Sequence, residues 1–212
     1  MNMRNRIVCL LSSIGIITVL GGCFGTSPSS RFYTLAPLES RGISAAKGVD
    51  VIVKVGPVSI PSYLDRRQIV TRNGRNGIEI AEFERWGGNL DDEIIRLLVN
   101  DLSDLLVGKG ISVVPWRSTE LIDAKTVYRI PFSIDRFDGM LDETVVLNAA
   151  WALIIKKDNQ ENILIAREST IREKVGGKDY DAMVAAMGKA VERLGKEMAD
   201  SLLADLEEKS PK

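Results

Sequence analysis

The chain has 212 residues, 45% of them apolar, with 28 Lys and Arg against 29 Asp and Glu, a formal net charge of -1 and no histidine. That length and composition suit one domain, or two small α/β halves sharing a core, and exclude a fibrous or wholly disordered chain. Near-balanced charge gives no general positive field for nucleic acid, and the lack of histidine removes His-based acid–base catalysis, the Ser-His-Asp arrangement and most zinc sites.

The N-terminus reads as an export signal, with Arg4 and Arg6 as a positive start, an apolar run from Ile7 to Leu20, then Gly21-Gly22-Cys23. At about fourteen residues the run is shorter than the roughly twenty a spanning helix needs. Small residues followed at once by cysteine resemble a bacterial lipobox, in which Cys23 takes a diacylglyceryl group and becomes the first mature residue. The other cysteine, Cys9, lies in the segment to be removed, so the mature chain has no free thiol and no internal disulfide. The reading divides the chain into a signal peptide at 1–22, a lipidated Gly/Ser/Pro-rich tether at 23–30, an α/β domain at 31–206 and a polar tail at 207–212.

Phe32-Tyr33-Thr34-Leu35 is the first predicted strand, 39–48 a loop, and 51–58 a strand with Val51, Val53 and Val55 on one face. Residues 60–67 lack a period and form a shaped loop before a short strand at 68–71. Asn73-Gly74 and Asn76-Gly77 predict a turn into a return strand at 78–86. In that strand Ile78 and Ile80 share one parity while Ala81 and Phe83 share the other, so a mid-strand bulge is needed to bring both pairs to one face.

Asn89 is the expected N-cap of a helix carrying the stripe Leu90, Ile94, Leu97, Leu98, Leu102 and Leu105, with Asp91-Asp92-Glu93 at the positive end of its dipole. A strand follows at 111–116. Another at 127–135 contains Pro131, which predicts an edge or a bulge because proline lacks the ladder N–H. Asp135 and Asp138 precede Gly139 in a predicted turn. Residues 143–156 and 162–171 form an antiparallel hairpin through Asp158-Asn159-Gln160, and Asp179 caps a final helix with the stripe Tyr180, Met183, Val184, Met187, Val191, Leu194, Met198 and Leu202. Its methionines are core fillers. The expected fold is α/β, a largely antiparallel sheet with two main amphipathic helices on one face, leaving the other face to solvent or a partner.

No catalytic, metal-binding or cofactor-binding constellation emerges. Gly176-Gly177-Lys178 lacks the lead-in of a phosphate-binding loop, and Glu82 and Glu84 read as ordinary strand carboxylates. The mixed loop Tyr63-Leu64-Asp65-Arg66-Arg67 and the pair Arg85-Trp86 are more suggestive. Tyr63, Leu64, Arg66, Arg67, Arg85 and Trp86 are the candidate partner-docking residues. Tyr63 and Leu64 tuck into the domain, or dock, and the two are compatible; Trp86 is a natural core plug at a strand end.

The lipobox, Phe32-Tyr33-Thr34-Leu35, Gly56-Pro57-Val58, Tyr63-Leu64-Asp65-Arg66, Gln68-Ile69-Val70-Thr71-Arg72 and Arg85-Trp86 together resemble the auxiliary lipoproteins of the paraquat-inducible protein C family. The resemblance spans the mature chain. It departs from the family pattern at Arg67, where proline is usual, and at Gly87-Gly88-Asn89, where an Ala-Glu-Pro-like segment is usual. It implies a non-catalytic subunit of an intermembrane lipid-transport system, with a mammalian-cell-entry (MCE) domain protein as partner, a lipid anchor in the inner leaflet of the outer membrane, a periplasm-facing domain and homo-oligomeric assembly. Phe24, rather than aspartate, after Cys23 favours the outer membrane on the same basis. The alternatives are an independent lipid- or lipoprotein-binding chaperone, which needs a concave apolar pocket between sheet and helix, and a lipid-modifying or cell-wall enzyme, for which no residue set is visible.

Overall fold

The computed structural model describes residues 28–35, 50–118, 126–157 and 160–208. Cys23, the signal peptide, the predicted loop at 39–48 and the Asp158-Asn159 turn lie outside them. In chain order the elements are β1 (Arg31–Tyr33), β2 (Val51–Ser59), β3 (Gln68–Asn73), β4 (Gly77–Trp86), α1 (Leu90–Leu105), β5 (Ile111–Pro115), β6 (Thr126–Gly139), β7 (Thr144–Lys157), β8 (Gln160–Lys174) and α2 (Tyr180–Glu208). This is a mixed, mostly antiparallel β fold with two helices packed on one face, as the sequence leads one to expect.

The strands divide into two sheets, ordered β1-β4-β3 and β5-β2-β6-β7-β8. Strand β2 runs parallel to both β5 and β6, whereas β6, β7 and β8 form a long antiparallel meander. Alternation sets its inner face. Ile130, Phe132 and Ile134 of β6 and Leu147, Ala149, Trp151 and Leu153 of β7 are all buried, in one core with the helix stripe residues Ile94, Leu98, Leu102, Met187, Leu194 and Met198.

Both helices follow from their sequence patterns. Asp179 caps α2 through Oδ1, which accepts from the Ala182 amide at 2.8 Å. Asn89 occupies the N-cap of α1 but its side chain makes no cap hydrogen bond. Glu93 instead accepts from the Leu35 amide at 3.1 Å and pairs with Arg96 at 2.6 Å, so part of the acidic first turn ties the end of the N-terminal strand segment to α1. The helices approach closely at Gly195, where a Cβ would lie 3.4 Å from Leu98 Cδ2 and 3.5 Å from Asp101 Cβ.

Of the two alternatives for Pro131, an edge or a bulge, the bulge is present, and two other local expectations change. Pro131 lies on an interior strand, not an edge; its neighbours Ile130 and Phe132 pair with Val55 and Val58, and the β2 ladder is irregular between those two residues, where a missing N–H costs least. The Asp138-Gly139 turn is strand, because β6 continues to Gly139 and Asp138 pairs with Val146. The mid-strand slip in β4 is present, since Gln68 pairs with Arg85 but Val70 with Ile80. It does not bring the apolar pairs to one buried face: Ala81 is buried while Ile78 and Ile80 remain exposed.

Candidate functional site

The loop between β2 and β3 is folded on itself by backbone hydrogen bonds, with Pro61 O accepting from the Leu64 amide at 2.9 Å and Leu64 O accepting from the Arg66 amide at 2.8 Å. Leu64 points into the core. Arg67 O accepts from the Trp86 amide at 2.7 Å, and Gln68 pairs with Arg85, so the loop and the end of β4, far apart in sequence, form one surface. The six candidate docking residues thus meet in space but do different things. Leu64 and Trp86 are core side chains, Tyr63, Arg66 and Arg85 are half-buried, and Arg67 is exposed. The Nε atoms of Arg66 and Arg85 are buried without a hydrogen-bond partner.

Tyr63 is held by a group that the sequence reading passed over. Its hydroxyl donates to Asp138 Oδ2 at 2.8 Å. Asp138 is fully buried and also accepts from Arg72 Nε at 2.9 Å and Arg136 Nε at 2.8 Å, while Arg72 closes a second contact to Oδ2 at 2.9 Å. Burial works to raise the Asp138 carboxyl, but the hydrogen bonds from Arg72, Tyr63 and Arg136 prevail and hold it below the usual carboxylate range. Burial and the adjacent carboxylate push the Tyr63 hydroxyl up to about 12, so it remains a proton donor in the network at neutral pH. The Arg72 guanidinium lies 5.8 Å from the Tyr63 ring centroid. The cluster joins three segments: the loop, β3 and β6. Its signal in the sequence is the Arg136, Asp138 alternation, masked by the turn-like Asp-Gly that follows.

A second ion pair fixes the entry of the chain. Arg31 Nε donates to Glu84 Oε2 at 2.9 Å, its NH2 group meets Oε1 at 2.6 Å, and the Tyr33 hydroxyl donates to Oε2 at 2.7 Å. The hydrogen bond from Arg31 dominates in holding Glu84 below its ordinary range despite the opposing effect of burial. Glu84 is therefore a clasp for β1 rather than an acid–base group.

On the helix-free face of the larger sheet an open groove of about 600 Å³ runs across β2, β6, β7 and β8, lined by small residues including Ser59, Pro131, Ser133, Ala150, Ala152 and Ala166. Between sheet and helices the described residues pack into one core, with a cleft of about 240 Å³ left where the end of α2, at Leu203, Leu206 and Glu207, meets Ile111 at the start of β5. Pro57 also lines the groove, and the adjoining Gly56 has φ +108° with the space of a Cβ only 2.3 Å from Trp116 Cδ1, so no larger residue fits there. Among the described residues no group of three or more His, Cys, Asp or Glu side chains is placed to hold a metal ion, and no helix is long and apolar enough to cross a membrane.

Comparison with known proteins accords with this geometry. The family model described as "ABC-type transport auxiliary lipoprotein component" matches residues 33–199. The intermembrane transport lipoprotein PqiC of Escherichia coli (strain K12) is 26% identical over 168 residues, covering 79% of this chain and 83% of that protein. The protein of the same name from Shigella flexneri matches to the same extent. Among solved structures, one described as an uncharacterized protein superposes with a TM-score of 0.65 at 20% identity, covering 82% of this chain and 99% of the other. A protein from Xanthomonas campestris gives 0.62 at 16% identity, covering 84% and 98%. These two establish a shared fold.

Proposed function

Because the chain belongs to the ABC-type transport auxiliary lipoprotein family, we propose that it is a non-catalytic accessory subunit of an MCE-type intermembrane lipid-transport system, anchored through Cys23 in the inner leaflet of the outer membrane and facing the periplasm. The observation that carries this reading is the family match across residues 33–199, which takes in the Tyr63 to Arg67 loop, α1, α2 as far as Ala199 and the Asp138 cluster. The name of the E. coli relative, an intermembrane transport lipoprotein, supports the transport role.

In this reading residues 1–22 are removed, 23–30 tether the domain, 31–206 form the working unit and 207–212 are a polar tail. The docking surface is the Tyr63 to Arg67 loop with the end of β4. Leu64 and Trp86 set its backbone from the core, Asp138 holds Tyr63, and the exposed Arg67 offers its guanidinium to acceptors on the MCE-domain partner. Homo-oligomerisation would repeat this surface around the partner. The core between sheet and helices, interrupted by the small cleft at the end of α2, supports docking over an independent carrier role, which would need a larger apolar cavity there.

Affinity purification from native membranes tests the proposal. The MCE-domain protein should be recovered with the wild-type lipoprotein and much less with folded Tyr63→Ala or Arg66→Ala variants. Undiminished recovery with both would refute the docking surface, and recovery of bound lipid without any MCE-domain protein would favour the carrier reading.

A further inference from the structure

The β3–β4 hairpin ends in an exposed tip that neither the core nor the docking loop uses. Residues 73–80 are all exposed, and Ile78 and Ile80, at 41% and 44%, present two large aliphatic side chains on one face. Their pairing partners are Arg72 and Val70, whereas Glu79 between them turns to the opposite face, towards Tyr180. Arg75 is the charged residue of the turn itself. An aliphatic pair beside an isolated guanidinium is the chemistry of contact with a phospholipid surface, where apolar groups enter the acyl boundary and a cation meets phosphate.

Topology says which surface that is. Strand β1 runs parallel to β4, with Arg31 opposite Glu84, so the chain reaches Arg31 from the side towards which the hairpin projects. The bidentate Arg31–Glu84 pair fixes that direction. Gln68 lies opposite Arg85 and Asn73 opposite Gly77, and Arg31 sits opposite Glu84, one position nearer the tip, so about four residues of β3 remain and the tip extends about 14 Å beyond the start of β1. Seven residues separate Cys23 from Arg31, and the eight steps between them reach at most about 29 Å. The tether is thus long enough to pass the tip and too short to hold it far from the anchoring surface.

We propose that the β3–β4 tip, through Arg75, Ile78 and Ile80, rests on the phospholipid leaflet that carries the anchor and so orients the domain. The inference rests on Cys23 being the anchor. It places the opposite end of the larger sheet, where Gly110 accepts from Asp50 and β2 and β6 begin, away from the membrane.

The test uses the full-length lipoprotein, processed and acylated, in vesicles of phosphatidylethanolamine and phosphatidylglycerol. With Cys9 removed and Cys23 acylated, Asn76→Cys or Lys109→Cys supplies a single thiol for an environment-sensitive fluorophore. Flotation reports the anchor, and quenching by nitroxide-bearing lipids reports proximity to the leaflet. Quenching should be about threefold or more stronger at position 76 than at 109, and should fall to the 109 level when Ile78→Ser and Ile80→Ser are added, with flotation unchanged. Equal quenching at both positions in protein that floats overturns the inference while leaving the anchor intact. A probe at 76 shielded from aqueous iodide but not quenched by the lipid nitroxides shows protein covering the tip and also overturns it. Failure to float removes the anchor, and the inference with it.

Discussion

Replacing Asp138 with Asn keeps the shape of the side chain and removes the charge on which the Tyr63 loop depends. Asp138 is fully buried and receives Tyr63, Arg72 and Arg136 at 2.8 to 2.9 Å. Breaking a buried pair by neutralising one partner costs about 3–5 kcal/mol, because the opposite charges stay behind uncompensated. Here the side chains of Arg72 and Arg136 retain 19% and 36% exposure, so water recovers part of the loss and the lower end, about 3 kcal/mol, is expected. For a chain of this size that is a fall of about 6–12 °C in Tm. Thermal melts of the mature Cys23→Ala protein followed by circular dichroism provide the assay. The pH dependence gives an independent check. Because the folded-state carboxyl is held below its unfolded value, its stabilisation is present above the unfolded pKa and is lost as pH falls through the folded one. The gap between wild type and variant should therefore be full at neutral pH and close in acid, below about pH 4. A Tm change under about 2 °C at pH 7, or a gap that persists unchanged in acid, would refute the account of Asp138 as the charged centre of this cluster.

Asp101, wedged beside Gly195 with an unpartnered buried Oδ2, has its carboxyl pushed up to about 7 by burial and by Glu192 and Asp104. The folded state then binds the proton more tightly than the unfolded state, so stability should rise as pH falls from about 8 towards 5. Asp101→Asn should remove that slope and stabilise the fold at pH 8 by about 1–2 kcal/mol, discounted for partial solvent screening, as read by urea titration. Gly56→Ala should destabilise by about 2 kcal/mol or more in the same titration, since Trp116 occupies the space of the new Cβ and φ is positive. Trp86→Ala should cost about 3–5 kcal/mol and weaken partner recovery only through the fold, whereas Arg67→Glu should weaken recovery with a Tm within about 2 °C of wild type. Mass spectrometry of the mature N-terminus should find acylated Cys23, and Cys23→Ala should abolish acylation while leaving a folded domain.

What was legible in the sequence follows from the range of the interactions. Both helices were readable because their apolar stripes repeat over many turns, and the β3–β4 turn because two Asn-Gly pairs have few other uses. The division into two sheets was not readable, since the parallel pairing of β2 with β5 and β6 joins segments separated by a helix and further strands. Asp138 was misplaced for a local reason: Asp-Gly favours a turn in isolation, but two arginines and Tyr63, from elements 66 and 75 residues away and from two positions upstream, satisfy it within a strand. Ile78 and Ile80 were expected inside because apolar strand residues usually are, and the large register shift between Val70 and Gln68 leaves them beyond the core instead. The Tyr63 to Arg67 loop was picked out as a candidate docking surface by its mixed composition. Which of its side chains face outwards needed the fold, because Leu64 and Trp86 carry the same apolar signature whether buried or exposed.

The central claim, docking of an anchored domain onto an MCE-domain transport protein, is tested most directly by site-specific photo-crosslinking in intact cells. A photoreactive residue at Arg67 should give an adduct with the MCE-domain protein, and one at Lys109, on the far end of the larger sheet, should give none. No adduct from position 67 in a folded, correctly acylated protein, or equal adducts from both positions, would contradict the account.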